Sequence, residues 1–141
     1  MDRESLVRGK RIDNGEWVEG YIIKYSSGHA QILRESNELP ADYMYFYEVN
    51  PQTVCRCTGK EYMDSEIAYE GDIFESQVSG DLMVLRYGTY QAYCPQDKVY
   101  MDSVGFYAEC NGYPDMPIGD LHDYALRKGN IFDNPELLEN V

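Results

Sequence analysis

Glu70 and Asp72, separated by one glycine, form the most motif-like acidic group in the chain. Two neighbouring carboxylates serve acid and base chemistry when their surroundings split their pKa values. Gly-Asp ahead of an apolar run is also ordinary turn chemistry, with the aspartate bonding nearby backbone N–H groups. The turn reading is favoured, with Glu70 and Asp72 kept as a candidate polar site. Two histidines are few for acid/base or metal work. His29 follows a glycine turn beside Ser26 and Ser27, and a serine–histidine pair needs a third group to orient the imidazole. His122 sits between Leu121 and Asp123. Cys55 and Cys57 form a C-x-C pair that, if extended, points two thiols to one face. The remaining ligands would have to come from Cys94, Cys110 or His122, without C-x-x-C spacing. Buried apolar cysteines are the simpler reading. No phosphate-cradling loop, zincin helix, nucleophile elbow or EF-hand spacing is present. The expectation is a non-enzymatic protein with no catalytic residue, no metal and no cofactor.

Composition narrows the partners. The 141 residues carry a net charge of −13. Met1 to Arg34 holds six Lys/Arg against five Asp/Glu, and Glu35 to Val141 holds six against twenty. Nucleic-acid affinity comes largely from basic residues that displace counterions, so direct nucleic-acid binding is not expected. The small basic patch Arg8, Lys10 and Arg11 reads as a solvated strand end. No apolar run approaches the ~20 residues of a membrane span, and no signal-like stretch follows the N-terminus. The cytosol is the expected compartment, where the four cysteines stay reduced.

The elements that must position these residues read as short strands. Asn14-Gly15 suits a tight type I′ hairpin between Arg8–Ile12 and Glu16–Tyr25. In the second of these, Trp17, Tyr21, Ile23 and Tyr25 share one face, and Val18, Gly20 and Ile22 share the other. Ser26-Ser27-Gly28 turns into a third strand, completing an N-terminal meander over 7–34. Tyr43, Tyr45 and Tyr47 share one face of the next segment, with Met44 and Phe46 opposite. Both faces then want cover. A second meander spans 70–95, with turns at Ser79-Gly80-Asp81 and Gly88-Thr89. Val99 to Glu109 fits helix or strand. A weak helical pattern at Pro117–Leu126 precedes an extended stretch, and Asn134-Pro135 starts a last helical turn, over 117–140 in all. The fold class is α+β and strand-dominated. It is a small curved antiparallel sheet or SH3-like, barrel-like core with short helices near the C-terminus, in one domain over 1–141.

Three segments resemble one family. Residues 7–21, VRGKRIDNGEWVEGY, look like the opening signature of the YopX family. Asn50 to Val54, Thr58-Gly59 and Ile67 to Ile73 are similar to its middle signature, and Gly129 to Leu138 to its C-terminal one. The stretch Lys60 to Ala68 departs from the family pattern, being more acidic and lacking its glycine, and Lys128 stands where an aliphatic residue is usual. The resemblance implies a phage- or prophage-carried protein of mixed α/β fold with a barrel-like core and no characterised activity.

Three functions follow as expectations. The first is an interaction or assembly module acting as a homo-oligomer, or on an unidentified host or phage protein. Its motive is the fourteen tyrosines and the two-faced segment Tyr43, Tyr45, Phe46 and Tyr47. The second is an acidic nucleic-acid mimic that blocks a host DNA-binding protein. Its motive is fifteen Asp/Glu against four Lys/Arg between Glu35 and Gly119. The third, a small-molecule binder or enzyme, would need a pocket with convergent polar groups.

Overall fold

The computed structural model describes residues 6–35 and 44–139. It is strand-dominated, and the chain divides into two compact units, Met1–Cys57 and Thr58–Val141. Among the described residues there is no α-helix, and none is long and apolar enough to cross a membrane.

The first unit is a curled antiparallel sheet of β1 (Val7–Lys10), β2 (Trp17–Lys24), β3 (Ala30–Glu35) and β4 (Met44–Val49), in the order β4-β3-β2-β1. The start of β5 (Cys55–Glu61) lies on the other side of β1, with Val7 opposite Arg56. The sheet curls until its last strand meets the continuation of its first. Arg11 bridges to Val49, the Ile12 N–H donates to Glu48 O at 3.0 Å, and the Asn50 N–H to Lys10 O at 2.8 Å. Val7, Val18, Ala30, Ile32 and Val49 fill the inside. Of the two faces of β2, that of Val18, Gly20 and Ile22 turns inward. A tight curl leaves no room for side chains where strands approach closely. A Cβ on Gly20 would lie 2.3 Å from the Leu33 carbonyl oxygen.

The β1–β2 hairpin forms, but not with the expected two-residue turn. Arg11 N–H bonds to Glu16 O at 2.9 Å, closing a four-residue loop in which Gly15 has φ +73° and Asn14 keeps a negative φ. A type I′ turn needs positive φ at both central residues. Asn14 instead accepts the Glu16 N–H on its side chain at 2.9 Å, and Arg11 pairs with Asp13 at 2.6 Å.

The second unit contains β6 (Ile67–Tyr69), β7 (Asp72–Ser76), β8 (Leu82–Cys94), β9 (Val99–Glu109), β10 (Met116–Pro117) and β11 (Ala125–Asn130). Five of them form an antiparallel sheet in the order β10-β9-β8-β7-β11, and β6 pairs with β5. Tyr62, Phe74, Leu85, Ala108, Leu121 and Ala125 are fully buried in its core.

Two expectations for this unit need correction. Gly88-Thr89 is not a turn. The β8 strand runs through it to Cys94, and Gly88 lies directly opposite Gly105 of β9, with φ +151° and +155°. That backbone region is open essentially to glycine alone, and with glycine on both strands the ladder runs through without a turn. The ambiguous Val99–Glu109 is therefore a strand. The C-terminal helical segments are single 3-10 turns, Leu121–Asp123 and Pro135–Leu138. Asp120 caps the first, accepting the His122 N–H at 3.2 Å. Asn134 does not cap the second. Its side chain reaches back to the Asn130 N–H at 3.2 Å. Buried Asn130 in turn accepts the N–H groups of Phe132 and Asp133 at 2.9 and 2.8 Å, which holds the tight Asn-Ile-Phe-Asp turn after β11.

Candidate functional site

The sequence-derived acidic pair separates into two environments. Asp72 opens β7 and is wholly enclosed. Its Oδ2 accepts the Tyr62 hydroxyl at 2.8 Å and the Tyr69 N–H at 2.9 Å, and its Oδ1 faces Arg127 Nε at 3.3 Å. The sequence folds this way because Gly71 takes φ +87°, turning β6 back into β7 so that the carboxylate points at the strand just left. One carboxylate thus ties β6, β7, β11 and Tyr62, just after β5, together. Glu70 sits half-buried in the turn itself. The arrangement fastens strands and offers no open carboxylate pair to a substrate.

The histidines divide similarly. His29 has the third group that sequence reasoning did not find. Its Nδ1 lies 3.4 Å from Glu48 Oε2, and its ring lies 4.4 Å from that of Tyr25. Gln31 links Tyr25 and Glu48, accepting the Tyr25 hydroxyl at 2.7 Å and donating to Glu48 at 2.6 Å. Glu48 reaches His29 through the β3–β4 register, in which Gln31 opposes Glu48. The cluster is exposed on the sheet surface, where water competes for every bond. His122 is exposed in its 3-10 turn.

The four cysteines are free, and Cys55, Cys57 and Cys110 are buried. Burial, helped by the charge of Asp81, pushes the Cys110 thiol pKa up, away from reactivity. Among the described residues no group of three His, Cys, Asp or Glu is placed to hold a metal ion.

The basic patch is engaged with rings. The Arg8 guanidinium lies 4.6 Å and the Lys10 ammonium 5.4 Å from the Trp17 ring, and Arg11 lies 4.6 Å from Tyr47. Such contacts hold a cation by the ring quadrupole. The hydrogen bond from Arg11 lowers the Asp13 carboxyl pKa.

The aromatic segment is only partly open. Tyr43 lies outside the described residues. Tyr45 and Phe46 are exposed, whereas Tyr47 packs on the core and under Arg11. Phe46 and Ile12 border a shallow cavity of about 390 Å³ with Arg11, Asp13, Tyr47 and Glu48. A second cavity of about 420 Å³ lies among Leu82, Val84, Glu109, Cys110, Tyr113, Asp115 and Leu138. Its acidic lining and burial together raise the Tyr107 phenol pKa, burial being the larger cause.

Among the described residues, five exposed large hydrophobics gather elsewhere. Beyond the Gly88–Gly105 pair, β8 and β9 continue as a two-stranded ribbon to the turn at Pro95–Lys98. Among the described residues, β8 from Gly88 and β9 up to Gly105 pair only with each other. One face of the ribbon carries Tyr93 opposite Tyr100, rings 5.1 Å apart, and Val104 opposite Thr89. The other carries Val99 and Met101. These side chains are between 47% and 70% exposed, Val104 the most. At its root, Tyr90 stacks on Tyr107 with ring centroids 4.8 Å apart, on the strand face of the glycine pair. Aromatic side chains laid beside strand glycines offset the packing those glycines lack.

Sequence reasoning placed the aromatic surface on Tyr43, Tyr45, Phe46 and Tyr47 and missed the ribbon. The signal was available as alternating Tyr90, Ala92, Cys94 and Val99, Met101 on either side of Pro95-Gln96-Asp97-Lys98, a hairpin pattern. No protein-family model matches the chain, and no curated protein matches it.

Proposed function

We propose that this chain is a non-enzymatic interaction and assembly module that works as a homo-oligomer. The observation that carries this reading is the ribbon of β8 and β9, with solvent-exposed aromatic and aliphatic side chains on both faces. A two-stranded hairpin is marginal in water by itself, and exposed apolar clusters mark interaction sites. Tyrosine suits such a surface because its ring is apolar and its hydroxyl stays hydrated. The exposed Tyr45 and Phe46 of β4 form a smaller second patch. The resemblance of residues 7–21, 50–54, 58–59, 67–73 and 129–138 to the YopX family supports a phage or prophage origin and action in the bacterial cytosol.

Sedimentation velocity of the full chain tests the reading. Between ~1 and ~200 μM, mass action shifts a self-associating protein toward its oligomer, so the weight-average coefficient is expected to rise. A constant monomer value across that range contradicts the proposal.

One observation favours a second reading. The unit Thr58–Val141 carries sixteen Asp/Glu against five Lys/Arg, the charge excess that an imitation of a nucleic-acid backbone would use. Competition with duplex DNA for a basic host protein, abolished by salt, would favour it over assembly.

A further inference from the structure

We infer that the partner of the ribbon is the ribbon of a second copy, the two crossing through the face that carries Tyr93, Tyr100 and Val104. The inference rests on the assembly reading and adds where the copies meet. Charge is the first argument. The chain carries a net −13, so two copies repel over most approaches. From Gly88 to Gly105 the only charged residues are Asp97, Lys98 and Asp102. Asp102 is bonded by Gln91 across the ribbon. The ribbon is therefore a nearly neutral projection from the more acidic unit, and two ribbons can meet there with little repulsion.

Area is the second argument. The low end of specific interfaces covers ~600 Å² per partner, of which roughly 57% is apolar, or about 340 Å². Tyr93, Tyr100 and Val104, which share one face of the ribbon and are all more than half exposed, together offer about 300 Å² when covered, taking ~200 Å² for a whole tyrosine side chain and ~150 Å² for a valine. That one face comes close to what a small interface needs, and two crossing ribbons bring one such face of each copy together. A two-fold axis makes such a contact self-complementary and closes it at a dimer.

The test compares single substitutions on exposed side chains of the full chain, with far-ultraviolet circular dichroism confirming the fold. Val104→Asp and Tyr100→Ser are expected to weaken self-association at least ~10-fold each, since few central residues carry most of an interface. Val78→Asp, at an exposed position outside both patches, is expected to leave it unchanged. If both ribbon variants associate like the parent, the ribbon contact is overturned while the assembly reading stands. If the parent chain itself never associates, both fall.

Discussion

Asp72→Ala is expected to cost about 3–5 kcal/mol, enough to unfold the C-terminal unit or bring it close to unfolding, because total stabilities are only ~5–15 kcal/mol. The reason is the number of groups stranded. The carboxylate is fully buried and receives the Tyr62 hydroxyl, the Tyr69 N–H and the Arg127 guanidinium. Removing it leaves a buried hydroxyl and a buried amide without their acceptor, each at about 1–3 kcal/mol, and deprives the partly buried Arg127 of its counter-charge. Tyr62→Phe takes away one donor and leaves the other two in place, so about 1–2 kcal/mol is expected. Urea unfolding followed by far-ultraviolet circular dichroism separates these values. A loss under ~1 kcal/mol for Asp72→Ala would mean that the carboxylate does not fasten the strands, and a functional reading of Glu70 and Asp72 would regain its standing.

Gly20→Ala is expected to disrupt the curled N-terminal sheet, at about 3 kcal/mol or more, the upper end for overpacking. The added methyl would meet the Leu33 carbonyl oxygen at 2.3 Å and the Ile32 side chain at 2.9 Å. The first of these is backbone and cannot rotate away. The adjacent β2–β3 pairs, Tyr21 with Leu33 and Ile22 with Ile32, would have to separate. The curl brings β4 round to Arg11 and Ile12, so its closure would weaken with them. Gly15→Ala is the control, since a Cβ there meets nothing within 4 Å and only the φ of +73° is unfavourable, at ~1 kcal/mol. Trp17, the single tryptophan, lies in β2 and reports this unit by fluorescence. Equal transitions for the two variants would contradict the packing described for Gly20.

Local chemistry explains which parts of this fold can be read from the chain. The glycines at Gly15 and Gly28 mark real turns, because a positive φ is a property of one residue. The alternation in β2 separates its two faces correctly, because strand geometry fixes a period of two. Gly88-Thr89 misleads because glycine marks a turn and an unusual position inside a strand with the same letter. Only the opposed Gly105, far along the chain, distinguishes them. The helical turns at Leu121 and Pro135 have capping residues and proline, yet each stops after one 3-10 turn. Asp120 caps the first, whereas Asn134 is drawn back to Asn130. The polar contacts that matter most are non-local. Asp72 with Arg127, and His29 with Glu48, meet only after strand order and register are set, and no spacing rule in one sequence supplies those.

If copies meet through the ribbon, the outer part of β8 and β9 is covered by another molecule of the same chain. Hydrogen–deuterium exchange at ~1 and ~200 μM tests it directly, because amides shielded by association gain protection by mass action. The expected result is slower exchange at high concentration over residues 88–94 and 99–105, with β7 and β11 unchanged. Concentration-independent exchange along the ribbon, in a sample shown to associate, would contradict the claim.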